Sequence, residues 1–246
     1  NPCGAGIGSS GVEAFERAYS GDPLAAYGGI IATNSNIDRA TAMAMAEGGR
    51  FLEAIIAPTF DKEATEILGE RWANCRLIEV GPLDDNDRGG MSYRSLRGGL
   101  LAQQIDNQPF QAEDLRQVAG PEADDVMREA AGIACTCVKH LKSNAVCIGN
   151  TSRLFGAGAG QMDRVAACRI AAEKAAEAIR KFKGSGVVVA ASDAFFPFPD
   201  GPEILIDAGV NCIVHPGGSK RDEETFELCE KRGVSCLLSG VRHFRH

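Results

Sequence analysis

An aromatic segment follows one of the most apolar runs of the sequence, and its residue types suit the binding of a flat heterocycle. Residues 192–199 read SDAFFPFP and come directly after a buried-strand pattern, GVVVAA, at 186–191. Because prolines remove backbone donors and fix φ, the segment is predicted to be a rigid loop rather than more sheet. Rigid aromatic side chains at the carboxyl end of an α/β strand can form a pocket for a planar ring. The alternative is an aromatic plug that closes one end of a core.

A second unusual segment is GVRHFRH at residues 240–246, behind an apolar strand pattern at 234–238. Chain ends are usually frayed and chemically bland. This one combines two arginines, two histidines and a phenylalanine, and arginine is suited to bidentate contact with phosphate. The composition favours a binding role over the alternative, which is a solvated basic tail.

Two glycine-rich segments precede predicted helices. GIGSSG at 6–11 fits G-x-G-x-x-G, but it lacks the preceding strand and the later acidic residue of a dinucleotide site, so we interpret its glycines as marking the entry to a helix. GAGAGQ at 156–161 misses that spacing, yet a glycine-rich turn into a helix presents backbone donors to an anion. Arg164 would add positive charge there, and the alternative is a tight turn with a solvated arginine. Asp163 is unfavourable beside an anion unless it caps the helix.

Several single residues carry chemistry that depends on their surroundings. Lys139 and His140 could form an acid–base pair. A lone histidine near an apolar helix face is more often structural, so we interpret this pair as structural. Glu53 lies within an apolar strand pattern, where it needs a partner if it is buried and faces solvent if it is not. Asn144 stands between a helix and a strand, where its amide can reach a site, and Gly28 allows close backbone approach.

The segment PGGSK at 216–220 follows a predicted strand and precedes a helix. Its two glycines and its serine hydroxyl suit a contact made through the backbone. The ammonium group of Lys220 could meet an anionic ligand.

Strand and helix patterns alternate along the chain that carries these residues. Helices are predicted at 10–20, 39–47, 61–71, 122–141, 163–181, 203–208 and 222–232, and strands at 28–33, 51–57, 74–80, 145–149, 154–157, 186–191, 212–215 and 235–238. This alternation predicts a layered α/β fold with mostly parallel strands. Residues 81–88 are predicted to form a polar surface loop, and residues 103–121 are the best candidate for a domain boundary.

Composition excludes several classes of protein. The 246 residues are 44% apolar and 24% charged, with a net charge of −7, which argues against a general nucleic-acid binder and against binding to an anionic membrane. No apolar run approaches the ~20 residues of a membrane span, and no signal-peptide pattern opens the sequence. The nine cysteines are scattered through apolar runs, as expected of reduced thiols in a cytoplasmic protein, and the four histidines lack zinc-finger spacing.

Motifs along the whole chain resemble the aminoimidazole carboxamide ribonucleotide (AICAR) transformylase domain of the bifunctional AICAR transformylase/IMP cyclohydrolase family. Besides the aromatic segment they are NPCG at 1–4, DPLAAYGGIIA at 22–32, IIAP at 55–58, GGLLAQQ at 98–104, VKHLKSNA at 138–145, GAGQMDRV at 158–165, PGGS at 216–219 and RHFRH at 242–246.

The resemblance implies formyl transfer from 10-formyltetrahydrofolate to the 5-amino group of AICAR in purine biosynthesis. It implies two cytidine-deaminase-like α/β/α subdomains with mixed, mostly parallel sheets. The first spans residues 1–108, and the second, residues 109–246, carries most of the nucleotide and folate site. It also implies a cytoplasmic homodimer with active sites at the interface, and it allows a monovalent cation such as K⁺.

The resemblance assigns site residues as well. It assigns nucleotide binding to Gly28, Glu53, Asn144, Arg164, Phe195 and Arg242. It assigns folate binding to Val165, Pro197, Phe198, Asp200, Ser219 and Lys220. Catalytic roles fall to Asn144 and His246, and no residue is expected to be a protein ligand of a metal.

The resemblance also implies a catalytic residue pair that would lie directly before Asn1. In the family a Lys-His pair lies directly before the Asn-Pro motif, here Asn1-Pro2, and its histidine is the general base. A non-catalytic nucleotide- or folate-binding remnant without that pair is therefore the alternative. A zinc deaminase is a weaker one, because the H-x-E and P-C-x-x-C signatures are absent from the sequence.

Overall fold

Helices and three β-sheets account for most of the computed structural model, which describes residues 1–83, 90–107, 110, 112–182 and 186–245. The helices are α1 (Gly11–Tyr19), α2 (Arg39–Ala46), α3 (Lys62–Arg71), α4 (Asp125–Lys139), α5 (Arg164–Phe182), α6 (Asp200–Asp207) and α7 (Asp222–Arg232). The strands are β1 (Gly29–Ala32), β2 (Leu52–Ala57), β3 (Arg76–Glu79), β4 (Met91–Leu96), β5 (Gly99–Gln104), β6 (Arg116–Ala119), β7 (Val146–Gly149), β8 (Leu154–Gly158), β9 (Val189–Ser192), β10 (Cys212–His215) and β11 (Ser235–Leu238). Parts of the predicted loop at 81–88 and of the predicted boundary at 103–121 lie outside the described residues.

The first sheet is parallel throughout, in the order β1-β2-β3. Its register brings Ile31, Ile55 and Leu77 into one row, and this row packs on a core shared with α1, α2 and α3. On the opposite face Ile30 and Ile78 are exposed. Parallel sheets are usually covered on both faces. In the part of the chain described here, α1, α2 and α3 pack on the face that carries Ile31, Ile55 and Leu77.

The second sheet is mixed and has the strand order β6-β11-β10-β9-β7-β8. β9, β10 and β11 run parallel, whereas β6, β7 and β8 each pair antiparallel with a neighbour. A short turn forces the β7–β8 antiparallel pairing, and Asn150 Oδ1 accepts the backbone N–H groups of Ser152 and Arg153 at 2.9 and 3.0 Å. The predicted α/β class with mixed sheets is confirmed. The first sheet is parallel, whereas three of the five strand pairings in the second sheet are antiparallel.

Two cores cover the two faces of this mixed sheet. One core joins it to α5, α6 and α7, and the other joins it to α4. Alternate strand residues supply them: Ile213 and Cys236 face the first core, and Val214 and Leu237 face the second. The strands are therefore buried on both sides, which explains their continuous apolar runs.

The glycine-rich segments serve packing. Gly156 and Gly158 lie within β8, where a Cβ atom would collide with the α5 backbone at Ala171 and Ala167. We predicted a turn for this segment, but the glycines instead let the strand and helix approach closely. Gly6 and the other glycines before α1 pack on that helix in the same way. This agrees with the interpretation of the 6–11 segment as a structural helix entry rather than a dinucleotide site.

Several elements differ from the sequence expectation, among them α4 and β9, which each begin three residues later than predicted. The antiparallel β4–β5 hairpin was not predicted, because every one of its residues is exposed and no alternating pattern marks it. β6 lies within the segment that we predicted to be a boundary without regular structure. Helix α6 begins three residues earlier than predicted, since Pro202 is tolerated in its first turn.

Candidate functional site

The aromatic segment and the 216–220 loop line one cavity of about 470 Å³. Its lining consists of Phe195, Pro197, Phe198, Gly218, Ser219, Lys220 and Arg221. The aromatic segment leaves β9 and the loop leaves β10, and these neighbouring strands are parallel, so both segments meet at the carboxyl edge of the sheet. Phe195 is half-buried and Phe198 is 48% exposed, so their rings are open to a ligand, whereas Phe196 is buried in the core.

Two phenylalanine–arginine stacks flank this cavity. The Arg242 guanidinium lies 4.8 Å from the Phe195 ring centroid, and the Arg221 guanidinium lies 5.0 Å from that of Phe198. Both arginines are exposed, so they remain accessible to an anion. Arg242 was predicted to belong to the site and Arg221 was not, although it directly follows Lys220 in the same loop.

The 216–220 loop is held by an acid that the sequence analysis missed. Asp222 Oδ2 accepts the backbone N–H groups of Gly218 and Ser219 at 2.7 and 3.1 Å. These two donors were predicted to serve a ligand, but Asp222 already occupies them. Gly218 has a φ of +96°, which disfavours any other residue, and a Cβ atom there would lie 3.0 Å from Arg242 Nη2.

His215 lies beneath the cavity and contacts both segments that line it. Its ring is fully buried, its Nδ1 accepts the Gly217 N–H at 3.1 Å, and it packs edge-on against Phe196 with 5.4 Å between ring centroids. It therefore connects the loop after β10 with the aromatic segment. Burial lowers the pKa of His215 to about 4, against a smaller opposing effect of the Asp222 carboxylate.

A buried polar network lies next to the aromatic segment. Arg164 is 9% exposed and forms an ion pair with Asp193, which is fully buried. The same guanidinium donates to Ser192 Oγ at 3.1 Å and to Asn144 Oδ1 at 2.8 Å. Arg164 was predicted to contact nucleotide phosphate, or else to be solvated. Its guanidinium pairs with Asp193, and its contact with a nucleotide stays a prediction.

Asn144 is fixed by this network on both ends of its amide. Its Nδ2 donates to the carbonyl oxygens of Gln161 and Met162 at 2.9 and 3.2 Å, while Arg164 holds its Oδ1. A side chain with both ends bound has a defined orientation. Asn144 is only partly buried, so this orientation can be presented to a ligand.

Three other predicted residues lie near the starts of helices. Asp163 Oδ1 accepts the Ala166 N–H at 2.7 Å, so Asp163 caps α5, the condition under which the sequence allowed an acid there. Asp200 accepts the Gly201 N–H at 2.8 Å in the first turn of α6. Val165 is half-buried in the first turn of α5. The described lining of the aromatic cavity includes neither Val165 nor Asp200.

The C-terminal segment is docked rather than frayed. The His243 N–H donates to the Asp193 carbonyl at 3.0 Å, and the Arg245 carbonyl accepts the Ser143 N–H at 3.0 Å. His243 Nδ1 lies 2.7 Å from Asp106 Oδ2, and Lys139 Nζ lies 3.2 Å from Asp106 Oδ1. His246, which was predicted to be catalytic, lies outside the described residues.

A second cavity of about 290 Å³ lies beside this docked segment, lined by Asn1, Pro2, His140, Lys142 and Arg245. His140 Nδ1 lies 3.3 Å from Arg245 Nη1. Burial and then the charges of Arg245 and Lys139 lower the pKa of His140. An uncharged imidazole therefore faces the cavity at neutral pH.

Gly28 and Glu53 lie in the other half of the molecule, on the first sheet. The Gly28 N–H donates to the Phe51 carbonyl at 2.9 Å with φ +72°, and Glu53 is an exposed residue whose carboxylate lies 3.1 Å from Arg76. Glu53 therefore faces solvent and is paired, and its contact with a nucleotide stays a prediction. The described linings of the two cavities contain neither residue.

The cysteines behave as packing residues. All nine are free thiols, and burial raises the pKa of Cys137 to about 11 and that of Cys168 to about 12. These thiols are therefore protonated and unreactive at neutral pH. Six of the nine cysteines are buried, as predicted for core-packing residues.

Comparison with known proteins identifies the family. A family model described as "AICARFT/IMPCHase bienzyme" matches residues 1–174. The chain belongs to this family. It is 42% identical over 246 residues to the bifunctional purine biosynthesis protein PurH of Halalkalibacterium halodurans, 41% identical over 249 residues to that of Rhodopirellula baltica, and 40% identical over 246 residues to that of Oceanobacillus iheyensis. Each match covers 100% of this chain and 46% of the relative, so the chain spans about half the length of these relatives.

Among the described helices, none combines the length and the apolar character needed to cross a bilayer. The described residues also contain no group of three or more His, Cys, Asp and Glu side chains arranged to hold a metal ion.

Proposed function

We propose that this chain performs formyl transfer from 10-formyltetrahydrofolate to the 5-amino group of AICAR in purine biosynthesis. The family supports this, since the relatives are named as bifunctional purine biosynthesis proteins. The observation that carries the proposal is the aromatic cavity flanked by Arg242 and Arg221. Two flat, anionic reactants need stacking surfaces and cations together, and this cavity offers both. A non-catalytic remnant is not favoured by these matches.

In this proposal the two ends of the cavity bind different reactants. Phe195 stacks on the imidazole of AICAR while Arg242 contacts its phosphate. Pro197, Phe198, Ser219 and Lys220 bind the folate, with Asp200 and Val165 near the pterin. Arg221 joins this set, because its guanidinium already stacks on the Phe198 ring.

Catalysis requires alignment of the two reactants, one proton transfer and stabilisation of an oxyanion. We assign to Asn144 the orientation of the formyl group or amine. We assign to Arg164 the fixing of Asn144, in addition to its predicted contact with the nucleotide. The base would be the family's histidine before the Asn-Pro motif, next to the cavity at Asn1, with His246 orienting the same centre. Gly28 and Glu53 would reach a nucleotide from the first sheet.

A homodimer is part of the same proposal. The β4–β5 hairpin exposes Tyr93, Leu100 and Leu101, and the open face of the first sheet exposes Ile30 and Ile78. A two-stranded hairpin is marginal alone, and apolar surface of this kind usually marks an interface. A partner subunit would cover these surfaces and bring Gly28 and Glu53 to a shared site.

The remaining proposals concern the fold, a cation and location. The separate core of the first sheet supports a division near residue 108, and we propose that both parts are cytidine-deaminase-like. A monovalent cation such as K⁺ is proposed from the family alone. Protonated, unpaired thiols suit the cytoplasm.

Formyl transfer is tested by incubating the protein with AICAR and 10-formyltetrahydrofolate and following release of tetrahydrofolate. The chain should be assayed alone and with the residues that precede Asn1 in its gene. We expect turnover with the longer protein. Nucleotide binding without turnover in either form would favour the binding remnant, and full activity of the 246 residues alone would move the base to a histidine within them.

The two stacked phenylalanines provide a test of the cavity. Phe195→Ala should raise the Kd for AICAR by about 5- to 150-fold, equivalent to ~1–3 kcal/mol of lost stacking and burial. Phe198→Ala is the matched control, since it also removes a ring beneath an arginine, and it should weaken folate and leave the AICAR Kd unchanged. Isothermal titration calorimetry measures both. Equal effects of the two variants on AICAR would contradict the assignment.

A further inference from the structure

Asp106 connects two parts of the chain that meet next to the site. It follows β5, and its two carboxylate oxygens contact different elements. Oδ1 lies 3.2 Å from Lys139 Nζ at the end of α4, and Oδ2 lies 2.7 Å from His243 Nδ1 in the C-terminal segment. The Lys139 and His243 side chains are 12% and 9% exposed and that of Asp106 is 43% exposed, so a partly exposed carboxylate holds two nearly buried partners.

His243 fixes the segment that carries Arg242. Its backbone N–H donates to the Asp193 carbonyl at 3.0 Å, and its ring is held by Asp106. Because His243, the residue after Arg242, is fixed by its backbone and by its side chain, the Arg242 backbone has few accessible conformations. The Arg242 guanidinium lies over the Phe195 ring. The other anchor of the segment is Ser143, whose Oγ accepts the Arg245 N–H at 3.2 Å.

We propose that Asp106 is a positioning residue for nucleotide binding, which acts by clasping His243 so that Arg242 is held over Phe195. Because a carboxylate only accepts hydrogen bonds, it fixes the tautomer of His243 with a proton on Nδ1. Lys139 holds the carboxylate in place from the other side. We call the contact between Asp106 Oδ2 and His243 Nδ1 the clasp. Its effect on nucleotide binding rests on the proposed function, whereas the contact itself does not.

The clasp predicts a change in hydrogen exchange that does not depend on any ligand. In Asp106→Ala the amides of His243 and Arg245 should exchange faster, because the segment loses its side-chain anchor. The Asp193 amide, which bonds the Ala145 carbonyl inside the sheet, should keep its protection. Asp106→Asn retains one acceptor for the His243 Nδ1–H and should keep much of the wild-type protection.

Measurements of AICAR binding distinguish a positioning role of Asp106 from a general effect on stability. Asp106→Ala should raise the Kd and KM for AICAR about tenfold, since a fraction of the molecules has an undocked segment, with the folate KM and kcat at saturation changed by less than about twofold. Asp207→Ala, which breaks the exposed ion pair with Arg232, is the matched control and should change none of these constants.

Each outcome decides a different claim. Unchanged exchange at His243 in Asp106→Ala overturns the clasp. Faster exchange with an unchanged AICAR Kd overturns its role in nucleotide binding, as does an equal rise in both KM values. If the wild-type protein binds no AICAR, the proposed function fails, and the exchange measurement still decides whether Asp106 docks the segment.

Discussion

Arg164→Ala should lower the free energy of unfolding by about 3–5 kcal/mol, the cost of stranding one partner of a buried ion pair. The variant leaves the Asp193 carboxylate fully buried and without its cation. It also releases Asn144 Oδ1. Chemical denaturation followed by circular dichroism measures the change.

The exposed pair of Arg232 and Asp207 provides the matched control. The Arg232 and Asp207 side chains are 37% and 61% exposed, against 9% and 0% for the Arg164 and Asp193 side chains. Arg232→Ala should cost no more than about 1 kcal/mol. If Arg164→Ala also lowered the free energy of unfolding by no more than about 1 kcal/mol, water would be replacing the guanidinium. The buried network would then not be what fixes Asn144.

Acid should destabilise the protein through His215. Its pKa is near 4 in the folded protein and about 6.5 in an unfolded chain, so between these values the unfolded state binds a proton that the folded state excludes. Stability should therefore fall as pH decreases from about 6.5 to 4, by about 3 kcal/mol in total, and this contribution should level off below pH 4. Stability at pH 8 is not affected by this titration.

His215→Gln tests the assignment, because glutamine does not titrate and still offers a neutral acceptor to the Gly217 N–H. The difference in unfolding free energy between wild type and variant should vary with pH over that window. His140 is exposed, so His140→Gln is the control. It should remove a smaller part of the pH dependence of the unfolding free energy. A pH-independent difference for His215→Gln would show that the ring is solvated in the folded state.

Elements with strong local patterns could be predicted from the sequence. α5 and α7 agree with their predicted ranges to within one residue at each end, and β10 and β11 agree fully. Their signals are local: apolar runs for the buried strands, and helical periodicity with caps at Asp163 and Gly233 for the helices. β6 has no such signal, since its place in the sheet depends on pairing with β11.

The site shows the same division between local and long-range information. The aromatic segment, the 216–220 loop and Arg242 could be found because residue types are unusual at the ends of strands. Asp106, Asp193 and Asp222 could not, since an acid that holds a backbone or a cation resembles any surface acid in sequence. The position of Asp193, directly after a buried strand, was the one available clue.

The pairing of β6 with β11 also bears on the order of folding. β7 and β8 close a short loop, whereas β6 and β11 are separated by most of the second half of the chain. Closing a long loop has a greater entropic cost, so strand pairs of high sequence separation slow folding. The segment that carries Arg242 follows β11 directly, and it can dock only on a finished sheet. We therefore expect the ability to bind nucleotide to appear in the slowest kinetic phase of refolding, after most of the helical signal has been regained.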